Sequence, residues 1–246
     1  MKPGVPLQPD VVQEVLGAWV LAERREPGEV SVVLGDGERA LLAQMPWPLR
    51  RCEWLAGRRV AKRLLNEAMG FAPDRTQVLP LESGAPRVWL DGAAREDLVL
   101  NLSHTKGWAV AAVSRSRVGV DVCDDVDGER IARIARRVFS EGEAETCGAF
   151  QSRETQAAVW AMKEAGLKLF IGGVFDPGAR AIRVESLSPP RVTANPAMQI
   201  ALLRLPDAAV AVSCDASWRL GEVSTTVMAE PKALPGSKTT PKPDPS

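Results

Sequence analysis

"LVLNLSHTKGWAVAAVS", residues 98–114, contains two apolar runs on either side of four residues that include the only histidine of the chain. The runs, 98–103 and 108–114, have the length and the content of valine, leucine and small residues that are typical of strands. Four residues are enough to connect two antiparallel strands in a tight turn. The stretch therefore predicts a β-hairpin whose turn carries His104.

Further strands and helices are predicted on both sides of this hairpin. Strands are expected at 29–35, 118–122, 180–187, 199–204 and 208–214. Helices are expected at 51–70, which ends at a capping glycine, from about Ser140, which has Glu143 three residues later, and at 152–169. Strand, helix and hairpin are thus followed by strand, helices and hairpin-like strands. This order predicts an α+β fold made of two similar halves that pack as one unit.

The two ends of the chain differ from its middle in composition. Residues 1–10 and 223–246 are rich in proline, and the second segment is also strongly polar. Segments of this kind bury too little apolar surface to offset the entropy lost on ordering. We expect a loose N-terminus at 1–10, an N-terminal half at 11–116, a C-terminal half at 117–222 and a disordered tail at 223–246.

The overall composition argues against several classes of protein. The 31 basic and 31 acidic residues balance, so no bulk attraction to nucleic acid or to an anionic membrane is expected. No apolar run reaches the roughly 20 residues that span a bilayer, and the N-terminus lacks the apolar core of a signal peptide. The four cysteines are scattered and form no Cys-x-x-Cys pair, which disfavours disulfides and structural zinc. A cytoplasmic protein is expected.

Several well-known catalytic and binding motifs are also missing. A single histidine excludes the His-Glu-x-x-His zinc site, and no Gly-x-Ser-x-Gly elbow, P-loop or Gly-x-Gly-x-x-Gly fingerprint is present. The segment that begins at Cys123 contains "DVDG", as a calcium loop does. Its first and twelfth positions are Cys123 and Ile134, where aspartate and glutamate are needed. This segment is therefore not an EF-hand.

Two carboxylates and a lysine remain as candidates for a site. Asp121 lies near the end of the apolar strand 118–122, and Glu164 and Lys168 are four residues apart, on one face of their helix. A strand carboxylate and a helix carboxylate together can hold one Mg²⁺, which leaves its other positions to water and phosphate. Lys168 beside them would be a phosphate-binding charge.

The hairpin turn supplies two further candidates. Ser103 and His104 could donate hydrogen bonds to phosphate oxygens from an exposed turn. Taken singly, each candidate also has an ordinary structural explanation, as a solvated ion pair or as a turn residue.

The order and wording of these segments together resemble the Sfp-type 4′-phosphopantetheinyl transferase family. The resemblance rests on "NLSHT" (101–105), "VGVD" (118–121) and "WAMKEAGLK" (160–168), with "LAGRRVAKRLL" (55–65) and "RRVFSEGE" (136–143) in support, and it covers roughly residues 50–215. It implies two similar α/β halves related by pseudo-two-fold symmetry, each with a small antiparallel-rich sheet packed on helices, and a monomer. It also implies an enzyme that moves the 4′-phosphopantetheine arm of coenzyme A to a serine of an apo acyl or peptidyl carrier protein. Such an enzyme depends on Mg²⁺ and releases adenosine 3′,5′-bisphosphate.

The resemblance also implies roles for individual residues. Asp121 and Glu164 would be the Mg²⁺ ligands, and Glu164 could also accept the proton of the attacking serine. The cofactor-binding residues would be those that contact the phosphates of coenzyme A or belong to the motifs: Arg58, Lys62, Ser103, His104, Lys163 and Lys168. His104 then binds phosphate and need not act as a general base.

Two positions depart from the family pattern. Cys123 stands where many members have a second acidic residue, and a thiol is a poor ligand for Mg²⁺. Asp124 or Asp125 could compensate if the loop bends. Ala85 replaces the lysine of a Gly-Lys-Pro segment, with Arg87 nearby.

These departures keep two other functions open. One is a catalytically silent homologue that binds coenzyme A or a carrier protein, and the other is an unrelated Mg²⁺-dependent phosphohydrolase. For the partner, four arginines of the segment 130–139 form a cluster suited to an acidic carrier protein: Arg130, Arg133, Arg136 and Arg137.

Overall fold

The computed structural model describes residues 3–25, 28, 31–146, 151–171 and 179–216. Its first eight strands are β1 (Val5–Pro6), β2 (Gln13–Val15), β3 (Ala18–Arg24), β4 (Thr76–Pro80), β5 (Pro86–Leu90), β6 (Ala93–Ala94), β7 (Val99–His104) and β8 (Trp108–Ser114). The other strands are β9 (Val118–Asp124), β10 (Arg183–Leu187), β11 (Pro190–Thr193), β12 (Met198–Leu205) and β13 (Ala208–Asp215). The helices are α1 (Asp36–Ala43), α2 (Pro48–Met69), α3 (Gly128–Val138), α4 (Glu141–Thr146) and α5 (Arg153–Ile171). These elements form a mixed α+β fold, as the sequence predicts.

Two four-stranded sheets dominate the fold. One has the strand order β2-β3-β8-β7, and the other has the order β1-β12-β13-β9. In each sheet a first strand (β3 or β9) pairs antiparallel with the last strand of its half (β8 or β13), which pairs in turn with its hairpin partner (β7 or β12). The same order of strand, helices and hairpins thus occurs twice, and the rotation that would relate the two halves stays a prediction.

The sheets pack face to face between two long helices. Even-numbered residues of β8 and β9, such as Val110 and Val120, belong to an apolar core shared by both sheets. The odd-numbered residues of β8 pack under α2, and Ala209 and Ala211 of β13 pack under α5. Because successive strand residues point to opposite faces, both faces of each sheet are covered. This explains why β8, β9 and β13 are apolar almost without interruption.

The two long helices begin and end where the sequence indicates. Pro48 is the first residue of α2, a position where its missing N–H costs nothing. Gly70 ends this helix with a φ of 71°, a left-handed conformation that glycine adopts readily. Helix α5 begins at Arg153, one residue after the predicted start at 152, and ends at Ile171, two residues after the predicted end at 169. The backbone N–H of Ser140 donates to the Glu143 carboxylate (2.6 Å), which confirms the helix start predicted near Ser140.

Some predictions of secondary structure were wrong or incomplete. Residues 31–35 of the predicted strand 29–35 form no strand, and residues 29–30 lie outside the described residues. Seven strands of the fold were not predicted, namely β1 to β6 and β11. His104 is the last residue of β7, paired with Ala109, so the turn itself is Thr105–Gly107.

The N-terminus is more ordered than its composition suggests. Val5–Pro6 pairs in parallel with Leu203 and Arg204 of β12, and Leu7 is buried. The expectation of a loose segment at 1–10 therefore does not hold for Val5–Leu7, because an unpaired sheet edge and an apolar core are available to them. The predicted tail at 223–246 lies outside the described residues. Within the described part of the chain, no helix is both long and apolar enough to cross a membrane.

Candidate active site

The candidate site lies where the free edges of the two sheets meet. Strand β7 is the edge of one sheet and β9 the edge of the other, and the two strands are in contact. The side chain of Asn101 accepts a hydrogen bond from the Val120 N–H (3.3 Å), and the Ser103 hydroxyl oxygen accepts one from the Val122 N–H (3.3 Å). Side chains of β7 thus satisfy edge donors of β9 that no neighbouring strand reaches. This junction joins the two halves and fixes Ser103 beside β9.

Asp121 is the centre of this junction. The Ser103 hydroxyl donates to Asp121 Oδ1 (2.7 Å), and Lys168 Nζ donates to the same oxygen (2.8 Å). The Lys168 ammonium also donates to the carbonyl oxygens of Val120 (3.0 Å) and Leu102 (3.4 Å). The structure therefore brings together three residues from three separate motifs, one from β7, one from β9 and one from α5.

A close contact between β9 and α5 holds these motifs in place. A Cβ atom on Gly119 would lie 2.0 Å from the Ala165 carbonyl oxygen and 2.9 Å from the Leu169 nitrogen. The buried hydroxyl of Ser213 donates to the same Ala165 oxygen (2.7 Å). Only glycine leaves room for the helix at this distance. The glycine of "VGVD" thus allows Asp121 and the helix residues Glu164 and Lys168 to share one cleft.

The cleft is open and has a volume of about 760 Å³. Five of the predicted site residues line it: Ser103, His104, Asp121, Glu164 and Lys168. Its apolar lining includes Ile131, Ile134 and Trp160, from α3 and α5, and cationic side chains of α3 and of the hairpin turn line it as well. The cleft therefore combines polar side chains of the motifs with apolar side chains.

The two carboxylates of the cleft repel each other. Burial raises the pKa of Glu164 to about 7, with a further upward contribution from the Asp121 charge and a downward one from Lys168. A bound divalent cation would offset this repulsion. Mg²⁺ usually takes one or two carboxylates and completes its shell with water and phosphate oxygens. The donor set therefore fits Mg²⁺, although the described residues contain no cluster of three or more His, Cys, Asp or Glu side chains suited to a metal.

His104 lies near several charged groups. Burial lowers its pKa below the ordinary value, and Arg25, Arg50 and Lys168 lower it further, whereas Glu53 acts in the opposite direction. The free protein thus favours a neutral imidazole, and a bound phosphate would favour the protonated form. Such a side chain is suited to donating a hydrogen bond to an anion.

Cys123 cannot act as a second acidic ligand. It is 5% exposed, and burial together with the neighbouring Asp121 carboxylate raises the pKa of its thiol far above the ordinary value. Asp124 and Asp125, which follow it, do not line the cleft. Asp124 accepts a hydrogen bond from the Thr105 hydroxyl (2.6 Å), and Asp125 pairs with the Arg204 guanidinium. Neither aspartate therefore replaces the missing carboxylate at this position.

Two lysines expected to contact the cofactor point elsewhere. Lys62 pairs with Glu38 (2.7 Å) and Lys163 with Glu143 (2.7 Å), and all four side chains are buried. Neither lysine lines the cleft. A buried ammonium needs its carboxylate and carbonyl partners, so this geometry does not support the predicted contact of Lys62 and Lys163 with coenzyme A, which stays a prediction.

Arg58 is likewise outside the cleft. Its guanidinium stacks on the ring of Trp54 (4.2 Å to the ring centre) and donates to the Val78 carbonyl oxygen (3.3 Å). Burial lowers its pKa to about 10. Arg58 lines neither cavity, so its contact with the cofactor stays a prediction.

A second cavity of about 500 Å³ adjoins the first. Ala85 and Arg87, from the segment that departs from the family pattern, line it together with Arg117 and Phe170. Lys168 and Leu102 line both cavities. The Lys168 ammonium group thus lies between the two cavities, each of which is large enough for part of a ligand.

The sequence analysis missed several residues that line the cleft. Glu53 of α2 lies there, as does Asp127 after β9. Glu53 belongs to an amphipathic helix without a local signal for a site, so only the packing of α2 beside β7 identifies it. In the sequence, Asp127 is notable only as part of the segment that resembles a calcium loop, and its contribution to the cleft depends on the 3₁₀ turn Asp125–Asp127.

Comparison with known proteins shows which family the chain resembles. Residues 117–212 match the family model of the 4′-phosphopantetheinyl transferase superfamily. The chain is 26% identical to the 4′-phosphopantetheinyl transferase HetI of Nostoc sp., over 75% of this chain and 81% of that protein. It is 32% identical to the 4′-phosphopantetheinyl transferase AcpT of Salmonella typhimurium, over 57% of this chain and 70% of that protein.

A third relative matches a shorter stretch of the chain. The holo-[acyl-carrier-protein] synthase of Geobacillus kaustophilus is 33% identical over 96 residues, which are 35% of this chain and 70% of that protein. The chain therefore belongs to the 4′-phosphopantetheinyl transferase superfamily. Its enzyme class is that of a 4′-phosphopantetheinyl transferase, as the motifs of the sequence indicated.

Proposed function

We propose that this protein transfers the 4′-phosphopantetheine arm of coenzyme A to a serine of an apo acyl or peptidyl carrier protein in a Mg²⁺-dependent reaction. The observation that carries the proposal is the convergence of Asp121, Glu164 and Lys168 on one cleft, from a strand and a helix of separate motifs. The products are the holo carrier protein and adenosine 3′,5′-bisphosphate.

The proposed reaction forms one bond to phosphorus and breaks another. The serine oxygen bonds to the phosphorus that bears pantetheine, while the bond from this phosphorus to the bridging oxygen of the pyrophosphate breaks. The Glu164 carboxylate accepts the serine proton, directly or through water. Lys168, Ser103 and His104 bind phosphate oxygens. Transfer at phosphorus needs mainly positioning and compensation of charge.

Asp121 and Glu164 are the proposed ligands of Mg²⁺. The ion, when bound, supplies positive charge to the pyrophosphate oxygens and to the leaving group. In the free protein Lys168 occupies Asp121 Oδ1 (2.8 Å). Lys168 is then placed to move from this carboxylate to a substrate phosphate, with Asp121 freed for the cation.

The second cavity suits the nucleotide end of coenzyme A. Its walls include Leu98, Leu169 and Phe170, which can contact a base, and Arg87 and Arg117, which can bind phosphate. Because Lys168 lines both cavities, a substrate with its pyrophosphate at Lys168 would extend into each. Arg87 would then take the place of the lysine that Ala85 replaces.

The carrier protein is proposed to dock across α3. Arg130, Arg133 and Ile134 of this helix line the cleft, and Val126 just before it is 68% exposed. A carrier protein with an acidic helix would find cationic and apolar groups there beside the reacting phosphate.

The decisive test of transfer measures the intact mass of an apo carrier protein after incubation with this protein, coenzyme A and Mg²⁺. We expect a gain of one phosphopantetheine unit, which is lost in EDTA and in the Glu164→Gln variant. The matched control is Glu154→Gln, on the same helix but outside the cleft, which should load the carrier at the wild-type rate.

Other outcomes of this test favour the other functions. Binding of coenzyme A without a mass gain on any of several carriers would indicate a catalytically silent homologue, and the neutral thiol of Cys123 is the observation that supports it. Phosphate release from coenzyme A without a carrier would indicate a phosphohydrolase. Equal loading by wild type and Glu164→Gln would refute the role of this carboxylate.

The docking proposal is tested by reversing one charge. Arg133→Glu should raise the KM for an acidic carrier about tenfold and change kcat little, because the residue contacts the partner and not the phosphates. Arg191→Glu, on the exposed β11 away from both cavities, is the matched control. A KM that is the same for both variants would place the carrier elsewhere.

A further inference from the structure

Two lysine–glutamate pairs lie in the interior of the protein. Lys163 Nζ is 2.7 Å from Glu143 Oε1, and both side chains have no exposed surface. Lys62 Nζ is 2.7 Å from Glu38 Oε2, with 2% and 0% of the side chains exposed. Charges are removed from water only at a high cost, so each pair must be held by well-placed partners.

Glu143 connects three elements of the C-terminal half. Its carboxylate accepts hydrogen bonds from the Ser140 N–H (2.6 Å), at the start of α4, and from the Val184 N–H (2.7 Å), in β10. Lys163 of α5 pairs with this carboxylate and donates to the Ile182 carbonyl oxygen. The pair thus fixes α5 to α4 and β10.

Glu38 makes the same set of contacts in the other half. Its carboxylate accepts hydrogen bonds from the Gly35 N–H (3.0 Å), at the start of α1, and from the Val78 N–H (2.9 Å), in β4. Lys62 of α2 pairs with it and donates to the Val33 carbonyl oxygen (2.6 Å). The two pairs therefore have matching partners and matching burial.

The two pairs differ in what their helices carry. Lys163 directly precedes Glu164, and adjacent helix residues point about 100° apart. Anchoring Lys163 in the interior therefore fixes the rotation of α5 at the turn from which Glu164 enters the cleft. Lys62 lies nine residues after Glu53, the residue of α2 that lines the cleft. Unlike Lys163, it is not adjacent to a proposed metal ligand.

We propose that Lys163 is a positioning residue for the transfer reaction, acting through its buried pair with Glu143 to set α5 so that Glu164 faces Asp121. This inference rests on the proposed function of those two carboxylates. The pair of Lys62 and Glu38 stabilises the fold without setting the metal site. Of the two adjacent motif residues, Lys163 is thus buried in the interior and Glu164 lies in the cleft.

The test compares two double variants that remove one pair each, Lys163→Met with Glu143→Gln and Lys62→Met with Glu38→Gln. Removing both charges avoids leaving one buried and unpaired. Three quantities are measured: the Tm by circular dichroism, the binding of Mn²⁺ in the presence of coenzyme A by electron paramagnetic resonance, and the Mg²⁺ concentration for half-maximal carrier loading. Mn²⁺ serves as a spectroscopic substitute for Mg²⁺ and requires no carrier.

We expect both double variants to lose thermal stability to a similar extent. The variant of the C-terminal pair should also bind Mn²⁺ at least tenfold more weakly and need at least tenfold more Mg²⁺. The variant of the N-terminal pair should stay within twofold of wild type in both measurements. Equal metal dependence of the two folded variants would overturn the proposal and leave Lys163 as a structural residue.

Two further comparisons keep the test decisive. If a double variant does not fold, the single changes Glu143→Gln and Glu38→Gln, which keep the shape of the side chain, replace it, and unchanged Mn²⁺ binding by folded Glu143→Gln overturns the proposal. A wild-type protein that binds Mn²⁺ but loads no carrier contradicts only the proposed transfer. A wild-type protein that binds no Mn²⁺ contradicts both the proposed transfer and the positioning role of Lys163.

Discussion

At the scale of single residues, the surroundings of Glu164 disfavour the ionised form of its carboxyl group. Burial and the Asp121 charge raise its pKa to about 7. A carboxyl group with a higher pKa in the folded state stabilises the fold below its unfolded pKa, near 4.5, and this contribution is lost as the pH rises through about 7. The ionised side chain therefore costs stability above neutral pH in the absence of metal.

Replacing Glu164 by glutamine should remove this cost. In metal-free buffer at pH 8 we expect Glu164→Gln to raise the free energy of unfolding by about 1 kcal/mol, a value reduced for the solvent that screens a half-buried side chain. Near pH 4.5 the difference should vanish. Urea denaturation at both pH values measures it, with Glu154→Gln as control. A gain of equal size at both pH values would contradict the raised pKa.

At the scale of elements, the contact of β9 with α5 determines the geometry of the cleft. A Cβ on Gly119 would lie 2.0 Å from the Ala165 carbonyl oxygen, so a side chain here must push the helix away from the strand. Gly57 of α2 offers a contrast. A Cβ there meets only a Leu102 methyl carbon at 3.9 Å, an ordinary contact.

These two glycines make a matched pair of alanine variants. Gly119→Ala should destabilise the protein by about 3 kcal/mol, as changes that force backbone shifts do, and should raise the Mg²⁺ requirement for carrier loading. Gly57→Ala should stabilise it by about 0.5 kcal/mol, because alanine is the better helix former. Thermal unfolding and metal titration of both variants test this. A Gly119→Ala protein of wild-type stability would mean that α5 tolerates the displacement.

At the scale of the whole molecule, the two halves share one core. Val110 of the first sheet and Val120, Leu205 and Val210 of the second belong to the same apolar cluster. Leu7, far away in sequence, is part of it too, through the pairing of β1 with β12. The halves are therefore not expected to be independent domains.

Unfolding should then be a single cooperative transition. We expect far-ultraviolet circular dichroism and tryptophan fluorescence to give the same midpoint in urea, since Trp108 and Trp160 report on different halves. The fragment 117–216 alone should aggregate or unfold without cooperativity, because one face of its sheet loses its cover. Two separate midpoints, or a sharp transition in the fragment, would show that a half can fold by itself.

Most of the secondary structure and the centre of the site followed from the sequence. The hairpin around His104, the buried strand before Asp121 and the helix with Glu164 and Lys168 have local patterns strong enough to identify them, and their wording identified the family. The predicted strand at 29–35 failed for the opposite reason. Its alternation of apolar and polar residues is a local signal only, and the strand that pairs with β8 in the sheet is β3.

The sequence by itself determined which residue types are present, their spacing along helices and strands, and hence the class of chemistry. The tertiary structure alone decided which of the candidate cationic residues lie outside the cleft. Lys62 and Lys163 have the charge of phosphate-binding groups, yet both point into the interior. Each pairs there with a buried carboxylate from another segment of the chain. Burial and ion pairing depend on contacts between distant segments, which a local pattern of residues does not contain.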